Sequence, residues 1–499
     1  MQTAQKNNKR NPEKAARRPE GRVVAYFSGV AKIEGLSGVF IHETLVTKRG
    51  EEVALVIGFD EHYVEALFFR NLDDIHTPLY RSGKLFSLPL SSTITGRVLD
   101  GLGKPRDNLG PLLGKEIPVF REAPPIIARA PITTPLTTGI KMIDTALPIG
   151  RGQRELIIGD RKLGKSTIAI DTVLHQRHAT PPVHCIYVLC GQKERQLNEL
   201  LALFEERNAL LYTTVVAGLA GESYASQYLA PFVGCAIGEY FRDRGEDALI
   251  IYDDLSKHAK VYRSIALLLE RPPGRESYPG DIFSLHASLL ERAAKLNEKQ
   301  GGGSLTALPI VETQEGDITS FIPTNLISIT DGQIYLERGL FQKGFLPAIN
   351  VGLSVSRVGS KAQPHALTRV VKGIRLALSQ HRELQKLVQL ETAVSSQAQE
   401  KIHRGNLILE LLKQDKHAEV AWPEQVFLFS VVEGGHFEKI PEAQWREFES
   451  MLLELLRTRY RHVLASIRAG AAAEDLEKEI EEIVQDAKEE FFTESAPAT

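Results

Sequence analysis

The stretch from Gly159 to Ser166 reads G-D-R-K-L-G-K-S and matches the pattern G-x-x-x-x-G-K-[ST] at every fixed position. It follows the apolar run 156–158 and precedes a helix-like stretch, 167–174. A strand, a glycine-rich turn and a helix in this order predict a phosphate-binding loop, because backbone N–H groups and the positive end of the helix converge on one anion. The chain is therefore predicted to contain an α/β domain that binds nucleotide.

The loop is expected to bind ATP or ADP together with Mg²⁺. Lys165 can reach the β- and γ-phosphates, and Ser166 can offer its hydroxyl to the Mg²⁺ ion. A glycine-rich turn without a ligand is the alternative, but all four fixed positions agree with the strand–loop–helix context. The predicted phosphate-loop contacts are Gly159, Asp160, Arg161, Lys162, Leu163, Gly164, Lys165 and Ser166.

A second candidate for the metal site is Asp253, which follows the apolar run 248–252. A carboxylate at the C-terminal end of a buried strand, next to the phosphate-loop strand, can hold Mg²⁺ through a water molecule. A strand that simply ends in a turn is the alternative. The complete phosphate loop upstream favours the metal role.

The length and charge of the chain limit the protein classes to consider. It has 499 residues, of which 43% are hydrophobic and 25% charged, with a formal net charge of -3. Two or three domains are expected at this length. The balanced charge gives no electrostatic signature of nucleic-acid binding, and no apolar run approaches the roughly 18 residues of a membrane span. We expect a soluble chain, or one bound to a membrane only through partners.

Changes in composition predict four segments. Residues 1–22 carry seven Lys and Arg against two Glu and are predicted to be a disordered basic arm. Short β-rich runs predict a small β-barrel over 23–91, and alternating strands and helices predict a mostly parallel sheet over 92–363. Helical periodicity predicts a C-terminal helical bundle over 364–499. The strand candidates of the central domain are 156–158, 185–189, 249–252 and 326–329.

Cysteine and histidine spacing gives no sign of a metal site. Cys185, Cys190 and Cys235 show no C-x-x-C spacing and are predicted to be core residues. His175 and His178 are three positions apart, but without a nearby partner they are predicted to lie on a solvated helix face.

Seven further stretches of the sequence are distinctive. They are 148–155 (PIGRGQRE), 229–231 (LAP), 238–243 (GEYFRD), 252–257 (YDDLSK), 271–276 (RPPGRE), 301–309 (GGGSLTALP) and 350–359 (NVGLSVSRVG). Together they resemble the α subunit of F-type ATP synthases, and the resemblance runs from about Gly21 into the C-terminal helices. It implies a RecA-like central domain and a ring of alternating α and β subunits around a rotating γ subunit. It also implies a peripheral stalk, an ion-translocating membrane sector, and a peripheral position at the cytoplasmic face of a bacterial membrane.

Gln192 distinguishes between the two nucleotide-binding subunits of such a ring. In the catalytic β subunits, a Glu at this position polarises the attacking water. An amide has no proton-accepting state near neutral pH, and general-base assistance is typically worth about 10² to 10⁴ in rate. The chain's own site is therefore predicted to bind nucleotide with negligible turnover. Glu194, nearby in the sequence, is the alternative base.

The resemblance assigns Arg357 to catalysis in the neighbouring subunit. In the family, the Arg of S-V-S-R reaches the γ-phosphate held by the adjacent β subunit. Such an arginine finger is worth about 10³ to 10⁵ in turnover, so the chain is predicted to contribute more to its neighbour's site than to its own. A surface Arg in a salt bridge is the alternative. Ser354 and Ser328, predicted to lie on strand ends nearby, match interface positions that order this region.

The resemblance also assigns Phe341, Pro347 and Gln414 to the nucleotide site, although the pocket departs from the family. Leu346 stands where the family usually has an Arg, and Lys416 replaces a Gln. Leu346 has no donor and Lys416 cannot accept a hydrogen bond, so the pocket is predicted to discriminate ATP from GTP by less than about tenfold.

Other departures from the family lie in the N-terminal arm and in the phosphate loop. Residues 1–22 lack the amphipathic helix that docks a δ subunit in typical α subunits, and Lys162-Leu163 replaces the usual Gln-Thr. These features favour the alternative, often sodium-linked branch of the family, although the coupling ion, proton or sodium, stays open. The loop 270–281 resembles the segment that faces γ, with an ordinary rigid loop as the equal alternative.

Two other hexameric ATPases share this domain order, the Rho-type RNA translocase and the protein-export ATPase. Both need the catalytic Glu, and the first also needs a basic, aromatic groove for single-stranded nucleic acid. Gln192 argues against both, and the net charge of -3 argues against the RNA translocase and against a nucleic-acid partner.

Overall fold

The structure is a computed structural model. Most of the predicted basic arm, residues 1–19, lies outside the described residues. Glu20 to Arg22 belong to the first strand, so the barrel begins before Val23. Among the described helices, none is long and apolar enough to cross a membrane. The structure describes residues 20–72, 74–388, 396–437, 440–471 and 473–494.

Six strands near the N terminus close into an antiparallel barrel, as predicted. They are β1 (Glu20–Phe27), β2 (Val30–Glu34), β3 (Glu43–Val46), β4 (Glu52–Phe59), β5 (Val64–Phe68) and β6 (Leu79–Leu85). In space the order is β1-β2-β5-β4-β3-β6. Ala54 and Val56 on β4 and Ala66 and Phe68 on β5 are completely buried, and their spacing of two residues directs them to the barrel interior.

The remaining strands form two small sheets and the central eight-stranded sheet. They are β7 (Ser87–Leu90), β8 (Val98–Asp100), β9 (Lys115–Pro118), β10 (Pro135–Leu136), β11 (Ile149–Gly150), β12 (Leu156–Asp160), β13 (Val183–Gln192), β14 (Thr213–Leu219), β15 (Asp247–Asp253), β16 (Ser304–Thr313), β17 (Gly332–Leu336) and β18 (Val355–Ser356). Strand β7 pairs with β9, and β10 pairs with β11.

The central sheet has the order β18-β17-β12-β16-β15-β13-β14-β8 and is parallel except for β18, which confirms the predicted mostly parallel sheet. Its inner strands are apolar and buried because helices cover both faces. The helices of this central domain are α1 (Lys141–Ala146), α2 (Lys165–His175), α3 (Glu194–Glu206), α4 (Tyr224–Arg242), α5 (Leu255–Leu268), α6 (Ile282–Leu290), α7 (Phe321–Ile329) and α8 (Arg338–Gln342).

Two sequence predictions about this sheet were wrong. The apolar run 326–329 is the end of helix α7, in which Ile322, Leu326 and Ile329 recur at helical spacing and form its buried face. A short apolar run does not by itself distinguish a buried strand from a buried helix face. In addition, β16 lies between β12 and β15, so the strand that carries Asp253 is not next to the phosphate-loop strand.

The C-terminal region is helical, as predicted. Its helices are α9 (His365–Val388), α10 (Ser396–Leu412), α11 (Trp422–Glu433), α12 (Trp445–Thr458), α13 (Arg461–Arg468) and α14 (Glu477–Glu494). Within the predicted bundle, residues 445–468 form two consecutive helices, α12 and α13. One apolar core runs from the central sheet into this region, and a buried ion pair between Lys141 and Glu449 joins the two.

Candidate functional site

The phosphate loop joins β12 to α2, as the motif predicts. Gly164 directly precedes α2 with a φ of 99°, in the left-handed region that favours glycine. Lys165 is buried, and its Nζ donates hydrogen bonds to the carbonyl oxygens of Gly159 at 2.8 Å and Asp160 at 2.7 Å. Burial lowers the pKa of Lys165, and the nearby Asp253 and Asp254 oppose this shift. The ammonium group is thus held within the curve of the loop.

The side chain of Asp160 is engaged inside the protein. Its Oδ1 accepts hydrogen bonds from Thr313 Oγ1 at 2.7 Å and from the Gly316 N–H at 2.8 Å, and its Oδ2 lies 3.0 Å from Arg338 Nη2. The neighbouring Arg161 is exposed. The backbone of Asp160, and not its carboxylate, is therefore available to a phosphate.

Gln192 and Asp253, predicted from separate motifs, are in direct contact at the C-terminal ends of β13 and β15. Gln192 Nε2 donates to Asp253 Oδ1 at 2.8 Å, and Lys257 Nζ donates to Gln192 Oε1. The Tyr187 hydroxyl donates to Asp253 Oδ2 at 2.8 Å. Sequence reasoning missed Tyr187, whose one signal is a tyrosine hydroxyl within the apolar run 185–189.

The acidic groups near the loop fit a magnesium ion held mainly by its nucleotide. Asp254 follows Asp253 and accepts a hydrogen bond from the Lys257 N–H at 2.9 Å, and burial together with Asp253 raises the pKa of Asp254 to about 6. No group of three or more His, Cys, Asp or Glu side chains among the described residues could hold a metal ion. Mg²⁺ is commonly held by one or two carboxylates plus phosphates and water, which suits Ser166 and Asp253.

Glu194, the alternative base, has a mostly exposed carboxylate that accepts a hydrogen bond from Arg106 Nη2 at 3.0 Å. Glu194 lies two residues after Gln192, at the start of α3, and its side chain is directed to Arg106.

A cavity of about 640 Å³ connects the phosphate loop with the predicted base pocket. The amide of Gln414 lies in its wall and bonds backbone groups at both ends. Its Nε2 donates to the carbonyl oxygens of Gly139 at 2.7 Å and Ala418 at 2.5 Å, and its Oε1 accepts from the Lys141 N–H at 2.9 Å. The other predicted residues in the wall are Lys162, Leu163, Gly164, Phe341, Leu346, Pro347 and Lys416.

Sequence reasoning missed two carboxylates in the same wall, Asp171 and Asp415. Asp171 Oδ1 lies 2.6 Å from His417 Nδ1, and burial raises the pKa of Asp171 although His417 opposes the shift. Asp415 pairs with Arg446 at 2.9 Å. Both carboxylates therefore already have cationic or N–H partners.

Arg357 lies at the opposite end of the sheet from the phosphate loop. Its N–H donates to the carbonyl oxygen of Asp331 at 3.0 Å, next to the start of β17. The loop begins at Gly159, which pairs with Leu336 at the other end of β17. Asp331 and Leu336 are five residues apart along the strand, at about 3.3 Å per residue. Arg357 is therefore about 16 Å from the level of the phosphate loop, which is farther than an arginine side chain can reach.

The Arg357 side chain is exposed and has no hydrogen bond or ion pair within the described part of the chain. The predicted alternative, a surface salt bridge, is therefore not formed among those residues. Ser354 lies before β18, where its buried Oγ accepts from the Tyr335 N–H at 2.9 Å and donates to Asn350 at 2.7 Å. Ser328, predicted on a strand end, lies on helix α7 and bonds the Asn325 carbonyl of its own helix.

The cysteines are buried as predicted, but one histidine prediction was wrong. Cys185, Cys190 and Cys235 are all buried and unpaired. His175 is buried rather than solvated, because the C-terminal region covers the end of α2 and brings the Glu419 carboxylate to 3.3 Å from His175 Nδ1.

Comparison with known proteins identifies the family. The ATP synthase alpha/beta family, nucleotide-binding domain, matches residues 139–356, and the ATP synthase alpha/beta chain, C terminal domain, matches residues 363–487. The chain is 47% identical over 485 residues to ATP synthase subunit alpha from Aquifex aeolicus (strain VF5), covering 96% of each chain. The chain belongs to the F-type ATP synthase alpha subunits.

This membership confirms the resemblance seen in the sequence and accounts for the three-part fold. An F-type alpha subunit is a nucleotide-binding component of an ATP-synthesising or ATP-hydrolysing complex, so ATP or ADP is the ligand of the phosphate loop. Similarity to an alpha subunit along 96% of the chain argues against the Rho-type translocase and the protein-export ATPase.

Proposed function

We propose that this chain is the regulatory, non-catalytic subunit of a rotary ATP synthase and supplies Arg357 as an arginine finger to the adjacent catalytic β site. The position of Arg357 is the observation that carries this proposal. Its side chain is exposed, without an ion pair among the described residues, and about 16 Å along the sheet from the chain's own phosphate loop. The guanidinium group of Arg357 is planar and permanently charged, and in that position it suits a γ-phosphate bound by another subunit.

The chain's own site binds ATP or ADP with Mg²⁺ but lacks a general base. Lys165 and the loop backbone hold the phosphates, while Ser166 and, through water, Asp253 hold the metal ion. Gln192 occupies the position of the base, with both ends of its amide hydrogen-bonded to Asp253 and Lys257. The site therefore holds nucleotide with negligible turnover, and the reaction takes place in the adjacent β subunit.

The partners follow from the same assignment. Three copies of the chain alternate with three β subunits around a γ rotor, with a peripheral stalk and an ion-translocating membrane sector at the cytoplasmic face of a bacterial membrane. The complex couples ATP synthesis or hydrolysis to transport of protons or sodium ions. The loop 270–281, of which residues 272–277 are exposed and Arg271 pairs with Glu65 of the barrel, faces γ, with an ordinary rigid loop as the alternative. The domains extend over 20–91, 92–363 and 364–499.

The test is Arg357→Ala in a ring reconstituted with β and γ. We expect steady-state ATP hydrolysis to fall by about 10³ to 10⁵, with assembly and nucleotide binding retained. Arg195→Ala is the matched control, because Arg195 is exposed on α3 and pairs only with Glu199 of its own helix among the described residues. Near-normal hydrolysis by the Arg357→Ala ring would refute the proposal.

A further inference from the structure

Asp331 and Arg154 form a clamp at the start of β17. Arg154 Nε donates to Asp331 Oδ2 at 2.9 Å, and Arg154 Nη2 donates to Oδ1 at 2.7 Å. The backbone N–H of Arg154 adds a third bond to Oδ2 at 3.0 Å, and the Asp331 N–H returns one to the Arg154 carbonyl at 2.8 Å. Both side chains are largely shielded, with 16% and 26% of their surfaces exposed. Such a bidentate pair fixes orientation as well as distance.

This clamp holds the backbone that carries Arg357. The carbonyl oxygen of Asp331 accepts the hydrogen bond from the Arg357 N–H at 3.0 Å, and the next residue, Gly332, pairs with Ser356. Strand β18 has only two residues, so its backbone pairing with β17 alone fixes this segment weakly.

The contact between β17 and β18 is also unusually close. A Cβ atom at Gly332 would overlap the carbonyl oxygen of Val355 and lie 2.5 Å from the carboxyl group of Glu155. A shift of Asp331 would therefore be transmitted directly to the segment that ends in Arg357.

We propose that Arg154 and Asp331 are positioning residues that aim Arg357 at the γ-phosphate bound by the neighbouring subunit. The inference rests on the proposed role of Arg357. A displacement of about 1 Å in a catalytic group can cost on the order of 10²-fold in rate, and a group is held in place only as well as the residues behind it. Neither residue touches the nucleotide of its own chain, because both lie at the level of Arg357.

The experiment measures ATP hydrolysis by reconstituted rings that carry Asp331→Asn or Arg154→Lys. Asparagine removes the charge of the carboxylate, and lysine keeps the positive charge but cannot make the bidentate contact of a guanidinium group. We expect each variant to lower kcat by about 10- to 100-fold with little change in KM for ATP. The matched control is Asp107→Asn. Asp107 accepts two bonds from Arg97 and one from the Val98 N–H in the same pattern, at the opposite edge of the sheet.

A second measurement separates positioning from a general loss of structure. In rings that already carry Arg357→Ala, Asp331→Asn should cause no further loss in single-turnover hydrolysis, because residues that act through one group are not additive. An equal further loss in that background, failed assembly of both clamp variants, or unchanged kcat in both would overturn the inference. If Arg357→Ala itself left hydrolysis near normal, the finger assignment would fail instead, which distinguishes the two results.

Discussion

Gln192 donates a hydrogen bond of 2.8 Å from its side-chain amide to Asp253, and the carbonyl end of the same amide accepts one from Lys257. The amide that we propose to stand in place of a general base is thus held at both ends. It is buried, and an amide offers no proton-accepting state near neutral pH. The structure in this way joins the residue to which we attribute the low turnover to the residue that we expect near the metal ion.

We therefore expect the isolated chain to bind Mg-ATP and to hydrolyse it negligibly. General-base assistance is worth about 10² to 10⁴, and the isolated chain also has no neighbour to supply an arginine. Nucleotide titration and phosphate release measured on the same preparation check this, with Lys165→Ala as the control that loses binding. Hydrolysis by the chain alone at the rate of the assembled ring would contradict the prediction.

The second prediction concerns base selectivity. Both N–H groups of the Gln414 amide donate to backbone carbonyls and its oxygen already accepts one backbone bond, the Leu346 side chain has no polar atom, and Lys416 can only donate. We expect ATP to be preferred over GTP by less than about tenfold in Kd, under about 1.5 kcal/mol. Titration of the isolated chain with both nucleotides in Mg²⁺ measures the ratio.

Lys416→Gln provides the matched variant for that titration, because it adds an oxygen that can accept from the exocyclic amine of adenine. The ATP preference should then increase. A preference of about a hundredfold or more in the unaltered chain would show that other groups, such as the Asp171 carboxylate in the same wall, recognise the base.

The third prediction concerns acid stability. His258 on α5 and His286 on α6 are buried with ring centroids 5.7 Å apart, and burial lowers the pKa of His258 to about 4 and of His286 to about 3. Their ordinary value is 6.5, so below pH 6.5 the unfolded chain binds more protons than the folded chain. The free energy of unfolding therefore falls as the pH falls, by about 2 kcal/mol per histidine at pH 5.

His286→Leu should remove part of this dependence, whereas His462→Leu, at an exposed position, should not. Urea midpoints between pH 7.5 and pH 5 measure the difference. Equal pH dependence in the unaltered chain and in His286→Leu would contradict this explanation.

The fourth prediction concerns the basic N-terminal segment. Deleting residues 1–19 should leave ring assembly and ATP hydrolysis unchanged, because strand β1 begins at Glu20. Deleting residues 1–22 should instead lower the Tm, since Glu20 and Gly21 pair with Tyr80 and Leu79 of β6. Thermal unfolding and assembly assays on both deletions check this. Loss of the ring after the shorter deletion would show that the segment has a structural role.

Local patterns predicted what depends on local chemistry. The phosphate loop needs particular residues in order, and the runs 156–158, 185–189 and 249–252 are apolar because their strands are covered on both faces. Sheet order is set by distant segments, so the insertion of β16 beside β12 left no sign near Asp253. The same holds for the burial of His175, which depends on a segment around Glu419.

Part of the candidate site was likewise beyond sequence reasoning. Gln192 and Asp253 were each predicted to lie near the nucleotide, but their direct hydrogen bond depends on β13 and β15 being neighbours. Tyr187, Asp171 and Asp415 carry no motif, and only the folded chain brings them to the loop or the pocket.

Both edges of the central sheet are very short strands, β8 with three residues and β18 with two. An exposed sheet edge is a template on which any extended chain can add a strand, and short edges offer it few unpaired backbone groups. If the chain assembles into the proposed ring, it is exposed to this hazard until the ring closes. The short edge strands thus leave the unassembled chain few backbone groups to which another strand could add.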